Sequence, residues 1–118
     1  MGLDTYASRS PGDVVLTPED EAVLKELDVD ICEWIGDGSF RGKVYINVVD
    51  AVADVCLTME WISPEEVARL AVAFEARDPD EVARESAGDT YPATADQVRG
   101  LRQLLLLCAT RGLGLLGM

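Results

Sequence analysis

The chain has 118 residues, with 22 acidic and 10 basic side chains, no histidine, a formal net charge of -12 and 48% hydrophobic residues. That apolar content is enough to build a core, which excludes an acidic disordered tail. The charge excludes nucleic-acid binding by general phosphate neutralisation and adhesion to anionic lipid.

One domain spanning residues 1–118 is expected at this length. Met1-Gly2-Leu3-Asp4 lacks the basic and apolar regions of a signal peptide, and Tyr6 stands where a myristoylation motif needs Ser or Thr. Residues 2–8 and 13–16 have no helical periodicity and read as extended. Thr17-Pro18-Glu19-Asp20 is a helix start: an N-cap, a proline at the first helical position, then acids in the first turn. Val23, Leu24, Leu27 and Ile31 follow at helical spacing, so a helix is expected over residues 18–30.

Next comes Gly36-Asp37-Gly38-Ser39-Phe40-Arg41-Gly42-Lys43. If Ser39 caps the helix that follows, Arg41 and Lys43 fall in a first turn whose dipole favours anions. The other helix starts carry acids there, so this reversal marks a candidate site. Two readings stand: Ser39, Arg41 and Lys43 around a phosphate or carboxylate ligand, or the same cations paired internally with Glu33 or Asp37. The segment is neither a Walker A loop nor a dinucleotide fingerprint.

Residues 44–57 are apolar except for Asn47, Asp50 and Asp54, which recur at intervals of three and four. The pattern predicts a helix buried on most sides, at the centre of a bundle. Asp50 and Asp54 are weak candidates for a divalent cation, with a solvated stripe or a contact to Arg99 or Arg102 as the alternative. Asp28 and Asp30 do not satisfy a calcium-loop pattern. Trp34 and Trp61 flank the segment, with Phe40 and Tyr45 nearby, and could line a pocket or interface or pack in the core.

Ser63-Pro64-Glu65-Glu66 reads as a full capping box, with Ile62 and Val67 as a hydrophobic staple and Val67, Leu70, Ala71 and Phe74 as one apolar face. Asp78-Pro79-Asp80-Glu81 opens a short helix to about Ser86, and residues 87–92 form a loop. Thr94-Ala95-Asp96-Gln97 is another capping box. It opens a helix that turns Val98, Leu101, Leu104, Leu105 and Cys108 inward and stops at Gly112. The tail, with Leu113, Leu115 and Leu116, should pack back and pair as a strand with the N-terminal segment, since exposing it would leave an apolar patch. Residues 13–33 hold eight acids against Lys25, whereas residues 98–118 hold Arg99, Arg102 and Arg111 and no acid. The first and last helices therefore suit one another electrostatically, with a small gain if they meet at the surface.

Cys32, Cys56 and Cys108 are odd in number, far apart and in apolar surroundings, as expected of buried thiols in a reducing cytoplasm. Without histidine there is no Ser/His/Asp or Cys/His nucleophile, and neither cofactor nor structural metal is expected.

Three blocks carry a resemblance: Met1-Gly2-Leu3-Asp4-Thr5-Tyr6-Ala7-Ser8, Gly38-Ser39-Phe40-Arg41-Gly42-Lys43-Val44-Tyr45, and Glu60-Trp61-Ile62-Ser63-Pro64-Glu65. Together they resemble a group of small prokaryotic proteins to which no activity is attached. The resemblance implies a free-standing prokaryotic domain and no mechanism.

The sequence therefore predicts a mainly α fold, a bundle of about five helices around an apolar central helix, with a strand pair formed by the two ends. The expected function is a non-enzymatic cytoplasmic module that binds a protein partner or self-associates, for instance as a homodimer. The alternatives are an anion or phosphorylated-ligand site at Ser39, Arg41 and Lys43, possible also in an enzyme, and an acidic decoy surface for a basic partner. High-salt adaptation is another account of the acidity.

Overall fold

A computed structural model describes residues 4–57, 60–88 and 92–117. In chain order its elements are β1 (Asp4–Ser8), α1 (Pro18–Glu26), β2 (Ser39–Arg41), a 3-10 turn (Gly42–Tyr45), α2 (Ile46–Ala53), β3 (Trp61–Ile62), α3 (Pro64–Glu75), α4 (Pro79–Ser86), α5 (Ala95–Arg111) and β4 (Gly114–Gly117). Residues 2–3 of the expected N-terminal extension and residues 89–91 of the expected loop lie outside the described residues.

Local chemistry fixes four helix starts. The side chains of Thr17, Ser63, Asp78 and Thr94 accept hydrogen bonds from the backbone N–H groups of Asp20, Glu66, Asp80 and Gln97 at 3.1, 3.3, 3.2 and 3.1 Å. Thr94 and Gln97 complete the expected box. At α3 only half of it forms, because the Glu66 carboxylate accepts from Arg69 at 2.6 Å instead of reaching back. Ile62 and Val67, the staple pair, are both buried.

Two helices differ from the sequence reading. α1 stops at Glu26 rather than at residue 30, as Leu27 turns to extended backbone. The chain then runs close to α5, so that Ile31 enters the core and the Asp30 carbonyl lies 2.8 Å from the position of a Cβ on Gly100. The central segment is shorter than expected. It opens with the 3-10 turn, continues as the two-turn α2, and ends at Asp54, whose left-handed φ of 54° breaks the helix. Ser39 does not cap it; Ser39 lies in β2, and α2 has no side-chain cap.

Nor is α2 the hub of the bundle. Only Val48 and Val49 are buried in it, and Asn47, Asp50 and Ala51 are exposed. That place belongs to α5, which packs against α3 and α4 and buries Val98, Gly100, Leu101, Leu104, Leu105 and Cys108. At 17 residues α5 carries its apolar stripe over more than four turns, against barely two for α2.

The two ends pair as expected: β1 and β4 run antiparallel, from Thr5 opposite Gly117 to Ser8 opposite Gly114. The sheet is larger than this pair, however. β2 joins β1 and β3 joins β4, giving an antiparallel four-stranded order β2-β1-β4-β3. The protein is thus mainly α, with a small sheet. One sheet face carries Phe40, Ala7, Leu115 and Ile62 into the core, where the Phe40 ring meets Tyr45 edge to face at 5.6 Å. The tail leucines 113, 115 and 116 are buried. No helix among the described residues is long and apolar enough to cross a membrane.

The charge asymmetry between α1 and α5 is realised differently from a surface contact. Asp20 is fully buried, at 0% exposure, and accepts from Arg9 at 2.6 and 2.8 Å, from Arg111 at 2.7 Å and from the Thr17 backbone N–H at 3.0 Å. Cys108 is buried, and burial pushes its thiol pKa up to about 12. Cys32 is half-buried, but Cys56 is exposed, so the three thiols do not share the buried environment that the sequence suggests.

Candidate functional site

Strand pairing sorts residues into faces, because directly opposed residues point the same way. Tyr6 lies opposite Ser39 on one side and Leu116 on the other, and Leu116 lies opposite Trp61. Ser39, Tyr6, Leu116 and Trp61 therefore form one row across the sheet, on the face opposite Phe40, Ala7, Leu115 and Ile62. Leu116 is only 3% exposed yet stands apart from the main core cluster, between the half-buried rings of Tyr6 and Trp61. The Trp61 indole lies directly over Gly114: a Cβ there would sit 2.5 Å from Cη2.

At the β2 end of this face is a depression of about 190 Å3, whose lining includes Asp4, Tyr6, Glu33, Ile35 and Arg41. Its wall is the irregular segment before β2. Glu33 and Gly38 have left-handed backbone, at φ 57° and 89°. Gly38 also has little room for a side chain, since a Cβ would meet Leu24 at 3.0 Å and Ala7 at 3.1 Å. The Gly38 carbonyl accepts from the Ala7 N–H at 2.8 Å, and the Cys32 carbonyl from the Arg41 N–H at 2.9 Å. Ile35, within this segment, is 72% exposed.

Ser39 and Arg41 line this depression together, Lys43 lies in the 3-10 turn that follows, and Ser39 does not cap the helix as the sequence suggests. Ser39 is buried, and its hydroxyl and its N–H both donate to the Asp37 carboxylate, the latter at 2.9 Å. Arg41 reaches the Glu33 carboxylate at 3.4 Å. The anions facing Ser39 and Arg41 are therefore the chain's own, and Asp4 adds a further carboxylate to the same depression. Saturating inorganic phosphate should accordingly shift the melting temperature of the wild type and of Arg41→Ala equally. Differential scanning fluorimetry checks this, and a shift confined to the wild type would assign Arg41 to an external ligand.

Asp50 is exposed on α2, and Asp54 leaves the helix in its left-handed conformation, its N–H bonded to the Asp50 carbonyl at 2.9 Å. Among the described residues no group of three or more Cys, Asp or Glu could hold a metal ion. Arg99, a suggested partner for this stripe, pairs instead with Asp96 at 2.5 Å and Asp80 at 3.3 Å. Trp34 is half-buried against the core, whereas Trp61 is on the outer sheet face. Tyr45 is buried, its hydroxyl accepting from the Cys32 N–H at 2.9 Å, and burial raises its pKa.

Sequence reasoning missed Tyr6, Ile35 and Leu116 as face residues. The signal for Tyr6 was the alternation in Asp4-Thr5-Tyr6-Ala7, where the small residues turn inward. Comparisons with protein-family models, with curated proteins and with solved structures find no significant match.

Proposed function

We propose that this chain is a non-enzymatic protein-interaction module that binds its partner with the outer face of the sheet. The observation that carries the reading is the strongly exposed Ile35 at one end of a face that carries the half-exposed rings of Tyr6 and Trp61 on either side of the covered Leu116. Tyr and Trp side chains dominate protein interfaces because they offer rigid contact area with a polar handle. Asp4, Glu33 and Arg41 supply a charged rim at the β2 end, as interfaces have around an apolar centre. The chemistry elsewhere fits a binding role. The carboxylate with the strongest perturbation, Asp20, is locked by two guanidinium groups and stays ionised, so it is not poised to exchange protons.

The leucine-rich last helix and tail do not by themselves supply a sticky surface. Leu101, Leu104, Leu105, Leu113 and Leu115 are used inside the molecule. A photo-crosslinking amino acid in place of Ile35 should give one discrete protein adduct in cell extract, and the same group in place of Glu26 should not. Absence of a discrete adduct at position 35, or the same pattern at both positions, overturns the proposal.

A further inference from the structure

Two large apolar side chains stand exposed on helices, Val72 on α3 at 70% and Leu106 on α5 at 46%. The two helices pack on each other. Ala68 is also exposed and shares a face of α3 with Val72, one turn away. Glu75, the next outward position along α3, lines a surface groove together with Arg102, Gln103 and Leu106 of α5. An apolar strip therefore crosses the α3–α5 junction and ends in a groove that holds one acid and one base.

Glu75 and Arg102 are not paired with each other, and neither enters a salt bridge among the described residues. Arg102 shares this with Arg84, whereas Arg9, Arg41, Arg69, Arg77, Arg99 and Arg111 are each engaged by a carboxylate of their own chain. Two opposite charges that share a groove without meeting have the arrangement required for a self-complementary patch. A twofold axis through the groove, midway between them, carries Glu75 of one copy onto Arg102 of the other and the reverse, with Leu106 close to the axis. A partner of a single charge would satisfy only one of the two groups.

We infer that a second copy of this chain covers the α3–α5 face, in an isologous dimer with two Glu75–Arg102 ion pairs around Leu106 and with Val72 covered beside them. The dimer leaves the outer sheet face free in both copies, so it is independent of the function proposed above and would present two such faces. The paired charges fix the orientation, and the apolar strip supplies the contact. The charge of -12 on each copy opposes association at low salt; at physiological ionic strength the screening length of about 8 Å mutes that repulsion.

Sedimentation equilibrium of the full chain at physiological salt tests the inference. The wild type should dimerise. Glu75→Arg and Arg102→Glu should each weaken dimerisation by about tenfold or more, since each sets two like-charged pairs across the axis. An equimolar mixture of these two variants should recover the wild-type affinity, because the mixed dimer regains both opposite-charge pairs. Val72→Glu should be monomeric. All substituted side chains are at the surface, and circular dichroism confirms that each variant is folded. A wild type that stays monomeric up to about 1 mM, single reversals without effect, or a mixture that fails to recover each overturn the inference. None of these results bears on cross-linking at position 35.

Discussion

Asp20→Ala should be among the most damaging surface-remote substitutions in this chain, costing about 2–4 kcal/mol of folding stability and lowering the melting temperature by roughly 10 °C or more. The carboxylate is fully buried, and it joins three parts of the molecule. Arg9 follows β1, Thr17 caps α1, and Arg111 is the last residue of α5. Removing the anion leaves Arg9 and the Thr17 N–H without their acceptor and Arg111 with only Glu19, at 3.9 Å. The lower part of the range for broken buried pairs applies because Arg9 and Arg111 keep 36% and 24% of their side-chain surface in water and can rehydrate. Asp20→Asn retains the shape and one acceptor oxygen, so it should recover part of the loss. Urea unfolding followed by circular dichroism measures both. A loss below about 1 kcal/mol for Asp20→Ala would mean that the junction does not hold these elements together.

The same cluster has a pH signature. The hydrogen bonds from Arg9, then those from Thr17 and Arg111, lower the Asp20 pKa well below the ordinary carboxylate range, against the opposing effect of burial. A pKa lower in the folded than in the unfolded state gives stability that is complete above the unfolded value of about 3.9 and is lost as pH falls toward the folded value. The stability gap between wild type and Asp20→Asn should therefore be flat from about pH 7 to 5 and close below about pH 4.

Asp20 also shows where the sequence stops being informative. Thr17-Pro18-Glu19-Asp20 announces a helix start, because capping is settled within four residues. Nothing local says that the same carboxylate receives Arg9 and Arg111, which lie 11 and 91 positions away. The caps at Ser63, Asp78 and Thr94 were legible for the same local reason, and the pairing of the ends was legible from a leucine-rich tail broken by glycines. The strands Ser39–Arg41 and Trp61–Ile62 were not, because three and two residues carry too little alternation to register. Their existence depends on the edges that β1 and β4 offer. The centre of the bundle was misplaced because apolar content alone favoured residues 44–57. Burial follows from how many neighbours a helix can reach, and the longer α5 reaches more. At the candidate site, the reversal of charge at Arg41 was visible, and so was Glu33 as its possible internal partner. The outer face was not visible as a face, since Tyr6, Ile35, Trp61 and Leu116 come together only through strand register.

Gly114→Ala should also be strongly destabilising, by about 2–3 kcal/mol, although it adds a single methyl group. On β4 that methyl would lie 2.6 Å from the Ile62 carbonyl oxygen and 2.5 Å from the Trp61 indole. The carbonyl cannot retreat without moving the two-residue β3 away from β4, and the indole cannot retreat without uncovering Leu116. Gly100→Ala provides the contrast. In α5 an alanine gains about 1 kcal/mol of helix propensity, which offsets part of the collision with the Asp30 carbonyl at 2.8 Å. Gly114→Ala should therefore melt lower than Gly100→Ala, and it alone should shift tryptophan emission to the red as Trp61 is pushed into water. A Gly114→Ala chain as stable as the wild type, with unchanged emission, would show that the indole does not rest on this glycine. Because Trp61 is also a residue of the proposed binding face, the substitution should weaken cross-linking from position 35 even at temperatures where the chain remains folded. The coupling follows from geometry: the glycine that lets β3 lie against β4 is the one that leaves room for the Trp61 indole.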